Sequence, residues 1–238
     1  MTNVLTIVKK ELRSYWNSPI AYIFATVFLG FVSWFFFRGF FLEGQASLRG
    51  FFSILPWAFV VFVPAVTMRL WAEEKKLGTI ELLMTLPLKD HEVVFGKYIA
   101  ALVFLSFTIL LSFPLLLIVG ALGSPDLGPV IGGYAGTLLL GAAFLAMGIF
   151  VSSLTENQII AFIISFVLAF FLQILDADVV LTSVPEAIAP LVSFLGANGH
   201  FESIERGVVD SRDLLYFASV IAFFLYMNVR TIESRTWA

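Results

Sequence analysis

Cysteine is absent from the 238 residues, and ionisable groups are scarce: 14 Lys and Arg, 17 Asp and Glu, and two His. Without cysteine there is no disulfide framework and no thiolate for zinc or redox chemistry, so thiols leave the compartment undecided. Charged residues make up 13% of the chain, where a soluble domain carries about a quarter. The two histidines build no metal motif. His91 is followed by Glu92, but no second His stands at the spacing of H-E-x-x-H, and His200 stands alone. Each reads as an ordinary loop side chain. Gly96-Lys97 looks like the end of a phosphate-binding loop, yet the first Gly of that loop would fall at His91 and its Ser/Thr at Tyr98. A G-x-S-x-G nucleophile elbow is missing too. No enzyme chemistry, cofactor or metal is therefore expected on this chain, and no nucleic acid among its partners.

Apolar side chains fill the space. They make up 60% of the residues, and the mean hydropathy is +0.97. A span needs about 20 apolar residues, so the chain has room for six spans and no separate soluble domain. The fold expected is all-α and integral to the membrane, one domain over 1–238. Met1 to Trp16 reads as an amphipathic helix lying in the interface (region 1–17) rather than a cleavable signal. Val4, Val8, Leu12 and Tyr15 or Trp16 are its lipid side; Lys9, Lys10 and Arg13 face the headgroups. Asn17-Ser18-Pro19 ends it, because Pro starts helices but does not continue them.

Spans are expected at about Ile20–Phe37, Phe51–Met68, Tyr98–Ala121, Val130–Val151, Ile159–Leu175 and Leu214–Val229, with Pro64 and Pro114 inside two of them. Gly132 and Gly136 carry the small-xxx-small spacing of close helix packing. The region 176–213 holds seven acids and two bases. Within it Ala187–Leu195 is apolar but too short to cross, and is expected as a re-entrant or interfacial piece. With the N-terminus cytoplasmic, ten of the 14 Lys and Arg fall on the cytoplasmic side and four outside, Arg230 and Arg235 counting with the ten. That bias predicts both termini in the cytoplasm and 176–213 outside. The spans hold almost no ionisable groups, which disfavours an ion-driven carrier.

The region 69–97, RLWAEEKKLGTIELLMTLPLKDHEVVFGK, breaks this pattern with five bases and five acids. Gly78 is expected to end the helix leaving the second span. Thr79 then caps a short helix, with Glu81 near its positive end, that runs to about Leu86 before Pro87; Asp90 caps the next helix. Ile80, Leu82, Leu83 and Met84 make this segment too apolar for water. They lie either against lipid headgroups and neighbouring helix ends, or in a groove of a cytosolic partner, where Met among Leu suits an adaptable contact.

The run Met68-Arg69-Leu70-Trp71-Ala72-Glu73-Glu74-Lys75-Lys76-Leu77-Gly78-Thr79-Ile80-Glu81-Leu82-Leu83, with Leu86-Pro87 and Gly96-Lys97, resembles the signature after the second span of type-2 ABC transporter permeases. The Ser153-Leu154-Thr155-Glu156-Asn157-Gln158 turn and the segment before the last span extend the likeness over essentially the whole chain. His200 to Leu214 looks most like the subfamily associated with gliding motility and nitrous-oxide-reductase loci. The resemblance implies a permease of the inner membrane that pairs with a second copy and with two copies of a separate ABC ATPase, which carries the ATP and Mg. In such permeases a cytoplasmic coupling helix rests in a groove of the ATPase. Carried over, Thr79, Ile80, Glu81, Leu82, Leu83 and Met84 form that helix. Glu73 and Glu74 face the ATPase or the N-terminal helix, and 176–213 is an external gate or a platform for an extracytoplasmic partner. The competing expectation is a passive scaffold or channel that uses the same loop only for assembly.

Overall fold

A computed structural model describes residues 2–85, 87–208 and 210–234, without the side chains of Thr2, Glu43, Leu82 and Met84. Leu86, the expected end of the short helix, and Arg235 lie outside the described residues, as do the Leu82 and Met84 side chains. Among the described residues the chain is helical throughout, with no strand.

Helix α1 (Thr2–Asn17) stops at Ser18, and Pro19 opens α2 (Pro19–Glu43), which closes on Gly44 at φ 61°. That left-handed cap favours glycine because it lacks Cβ. The α2 helix outruns its expected end at Phe37 and takes in Arg38, since no proline follows and the lone Gly39 is tolerated within a helix. After it come α3 (Arg49–Thr67), α4 (Arg69–Lys76), α5 (Thr79–Met84), α6 (Asp90–Leu110) and α7 (Phe113–Leu122). The third expected span is thus two helices, parted at Leu111-Ser112 just before Pro114. A proline here removes an amide and disfavours helical backbone before it. The rest is α8 (Leu127–Leu154), α9 (Gln158–Ile174), α10 (Asp178–Leu181), α11 (Ala189–Leu195), α12 (Ala197–Glu205) and α13 (Ser211–Glu233).

Among the described residues, five stretches are long and apolar enough to cross a membrane: Pro19–Leu42, Arg49–Lys76, Asp90–Leu122, Leu127–Leu154 and Ser211–Glu233. The sixth expected span, α9, is a shorter apolar helix of 17 residues, about 25 Å at 1.5 Å per residue. Large apolar side chains such as Ile23, Trp34, Ile131, Ile163 and Leu215 lie exposed on the flanks of these helices, as a lipid-facing surface requires.

The α8 helix is the axis of the bundle and packs on α3, α13, α12, α9, α4 and α6. Its glycines make this possible. A Cβ on Gly133 would strike the Phe52 ring, one on Gly141 would meet Leu105 at 2.6 Å, and one on Gly148 would strike Thr67. Gly132 and Gly136 do serve close packing, but against Ile204, Phe201 and Gly207 of the α12 segment.

That contact adds a second helix to the reading of 176–213. The apolar piece, α11, has no buried residue and exposes Leu191 and Phe194. The polar-looking ANGHFESIE of α12 is what enters the bundle, burying Ala197, Phe201 and Ile204. Several polar groups here find partners nearby. Asp176 accepts the Gly199 amide hydrogen, and His200 lies between Asp213 Oδ1 at 2.7 Å and the Phe194 carbonyl at 3.0 Å while stacking on Tyr216. His200 is therefore a helix residue bridging α11, α12 and α13, and no loop side chain.

Candidate functional site

The site is the junction where α1, α4, α5 and α6 meet the end of α8. It begins with a break in the helix leaving α3. Met68 is a turn, and its side chain cannot cap the amides that the break frees in α4. Ser152 of α8 does so from outside: its Oγ accepts from Trp71 N (3.1 Å) and Ala72 N (3.2 Å) and donates to the Met68 carbonyl (2.9 Å). At the other end of α4, the buried Lys75 donates its Nζ hydrogen to the Ser153 carbonyl. A lysine on the terminal carbonyls of a helix is electrostatically well placed. Both ends of the eight-residue α4 are thereby fastened to α8.

On its other side α4 meets a buried ammonium. Lys97, 1% exposed, donates to Glu74 Oε1 at 2.7 Å and to Glu11 Oε1 at 3.1 Å, and its Nζ lies 5.0 Å from the centre of the Trp71 ring. Lys10 adds a second cation, 3.4 Å from Glu11 and 3.6 Å from Glu74. Two lysines thus balance two glutamates. Burial acts to raise the Glu11 carboxyl, but Lys97 and Lys10 outweigh it and hold the group below the ordinary carboxylate range. A buried charge without such partners would be strongly destabilising.

The network needs α1 close to α6, and Gly96 permits it: a Cβ there would sit 2.6 Å from Ile7 Cγ2 and 3.5 Å from the Val4 carbonyl. Asn3 Nδ2 also donates to Glu92 Oε2 at 3.1 Å. The face of α1 expected to rest in lipid therefore rests on protein. Ile7, Val8, Glu11 and Tyr15 are buried, Val4 and Leu12 pack against the core, and Lys9, Lys10 and Arg13 face outward as expected. The reason is that Val93, Val94 and Tyr98 of α6 offer an apolar surface of matching period. A groove of about 370 Å³ remains between α1 and α4, lined by Lys10, Tyr15, Arg69, Glu73, Leu77 and Lys97.

The α5 helix hangs from this junction. Gly78, at φ 69°, turns the chain and is itself the N-cap; Thr79 is the first helical residue, its Oγ1 donating back to the Glu74 carbonyl at 3.3 Å. The cap expected at Thr79 thus stands one residue earlier, because the reversal needs left-handed backbone that glycine adopts without strain. Likewise Lys89, not Asp90, precedes α6, and the Glu92 carboxylate accepts the Lys89 amide hydrogen at 3.1 Å. Among the expected contact residues, Ile80 and Leu83 are half-buried and turn toward the chain's own core, whereas Glu73, Thr79 and Glu81 are exposed. Glu74 is committed to Lys97 and Lys10. The structure adds three residues that sequence reasoning passed over. Lys97 and Glu11 form the buried network, and Leu77, 67% exposed, stands beside α5. A lysine two turns inside an apolar helix was the available signal, since such a group requires partners.

Residues 5–204 match the family model described as ABC-2 family transporter protein. No curated protein matches the chain.

Proposed function

The chain belongs to the ABC-2 transporter family, and on that premise we propose that it is the permease subunit of an ABC transporter, coupling ATP hydrolysis on a separate subunit to export or to conformational transmission across the membrane. The mounting of α5 carries the reading. A lever must pass force without bending. Here α5 follows α4, which is tied to α8 through Ser152 and Lys75 and to α6 and α1 through the Glu74–Lys97–Glu11 network. A push on α5 is delivered to several membrane helices at once.

In this reading two permease copies pair and two ATPase copies bind the ATP and Mg, this chain supplying no catalytic group. Each ATPase receives α5 through Leu77, Thr79 and Glu81, with Glu73 at the edge. The α9 helix acts as the sixth span, both termini are cytoplasmic, and 176–213 faces the other side of an inner membrane.

The test is co-purification with an ABC ATPase and measurement of ATP hydrolysis in nanodiscs. The permease is expected to stimulate hydrolysis several-fold, and single cysteines at Glu81 and Glu186 in this cysteine-free chain to be labelled from opposite sides. A passive scaffold or channel would show neither stimulation nor any effect of α5 variants on hydrolysis, and that outcome would overturn the proposal.

A further inference from the structure

A second pocket, of about 350 Å³, lies at the end of α3 remote from α5, where α12 packs across the first turns of α3. One wall is apolar: Pro56, the half-exposed Trp57 and the buried Phe201. The other carries Glu205, only 9% exposed, which has no hydrogen-bond or ion-pair partner among the described residues. Its neighbours are already engaged. Glu202 accepts from Asn198 Nδ2 at 2.8 Å and lies 3.8 Å from the Arg206 guanidinium, whose Nε donates to the Glu202 carbonyl. Arg49 is exposed at the rim.

A largely buried carboxylate with no cation within ion-pair distance is costly, and a pocket that pairs one with an indole and a proline has the complement of an amine on a hydrocarbon tail. We propose that this pocket binds an alkylammonium group, the ammonium seated on the Glu205 carboxylate and the hydrocarbon against Trp57, Pro56 and Phe201. The electrostatics agree with that geometry. Burial first, and Glu202 second, push the Glu205 carboxyl up to about 7 against the opposing pull of Arg49 and Arg206. The facing part of α8, at Gly132 and Gly136, brings no charge. Near neutral pH the site therefore exchanges a proton for a cationic ligand. Nothing in this inference depends on α5 or on an ATPase.

The full chain in nanodiscs, with empty nanodiscs subtracted, is titrated with hexylamine and with 1-hexanol, following Trp57 emission as the difference from W57F. Hexylamine stays protonated throughout, its amine resembling that of lysine. It is expected to bind at pH 8 at least tenfold more tightly than the alcohol. Lowering the pH to 5.5 should weaken it by on the order of tenfold or more, because Glu205 must lose its proton for the ammonium to bind. E205Q should abolish the preference for the amine, and R49Q should strengthen binding by removing a like charge. Equal binding of the two probes, or amine binding indifferent to both pH and E205Q, overturns the proposal. Should E205Q fail to fold, the pH series on the unaltered chain decides alone.

Discussion

Lys97 on α6 holds Glu74 on α4 at 2.7 Å, and the same ammonium reaches Glu11 on α1 at 3.1 Å. One almost fully buried charge therefore fastens three helices that are distant in sequence. Removing it leaves two largely buried carboxylates with only the exposed Lys10 against them. K97A is expected to destabilise the chain by about 3–5 kcal/mol, read as a lowered melting temperature in detergent. K97M combined with E11Q and E74Q should recover much of that loss, since the buried charges go together and Lys10, the one that stays, is 59% exposed and keeps its water.

The same network sets a response to acid. The folded chain holds Glu11 below its ordinary value of 4.5, so its contribution is fully present above the unfolded value and fades as pH falls through the folded one. Unfolding followed from pH 7 down to about 3 should show stability declining below about 4.5. E11Q should flatten that part of the curve.

Gly96 tests whether α1 rests on protein rather than in lipid. A Cβ there lies 2.6 Å from the Ile7 side chain, so G96V forces α1 and α6 apart at a cost of about 1–3 kcal/mol. Cysteines at Asn3 and Glu92, whose side chains meet at 3.1 Å, should crosslink readily in the unaltered background and poorly in G96V.

Ser152 caps a helix to which it does not belong. S152A strands the Trp71 and Ala72 amides and is expected to cost about 1–3 kcal/mol. Proteolysis or hydrogen exchange should localise the loosening to α4 and α5, while the α12 end stays protected.

Leu77 and Leu83 separate the surface proposed for the ATPase from the chain's own core. L77D alters an exposed side chain, so melting should shift by no more than about 0.5 kcal/mol while stimulation of the ATPase is lost. L83D places a charge against the core and should lower stability by several kcal/mol, with or without an ATPase. A loss of stimulation in L83D is therefore uninformative unless folding is measured beside it.

Local patterns carried much of this architecture. Hydropathy marked the membrane helices, Pro19 the start of α2, and Gly78 the reversal before α5, because each depends on a residue's own backbone or solvation preference. The segment before α13 went the other way. Composition singled out Ala187–Leu195, yet the bundle takes in Ala197–Glu205, since Gly132 and Gly136 leave room for that helix while Asp176 and Asp213 bond the Gly199 amide and His200, and Tyr216 bonds the Leu195 carbonyl leading into it.

What the sequence determined by itself is a largely helical membrane chain with a charged interruption and a short apolar helix within it, features written in composition and in spacing of a few residues. Tertiary structure decided the partners of Lys97, the seat of α1 on α6, the capping of α4 by Ser152 and the isolation of Glu205. Each joins groups that lie from 23 to more than 80 residues apart or depends on a neighbour's failure to arrive. Buried charge takes its meaning from what surrounds it, and only the folded chain supplies the surroundings.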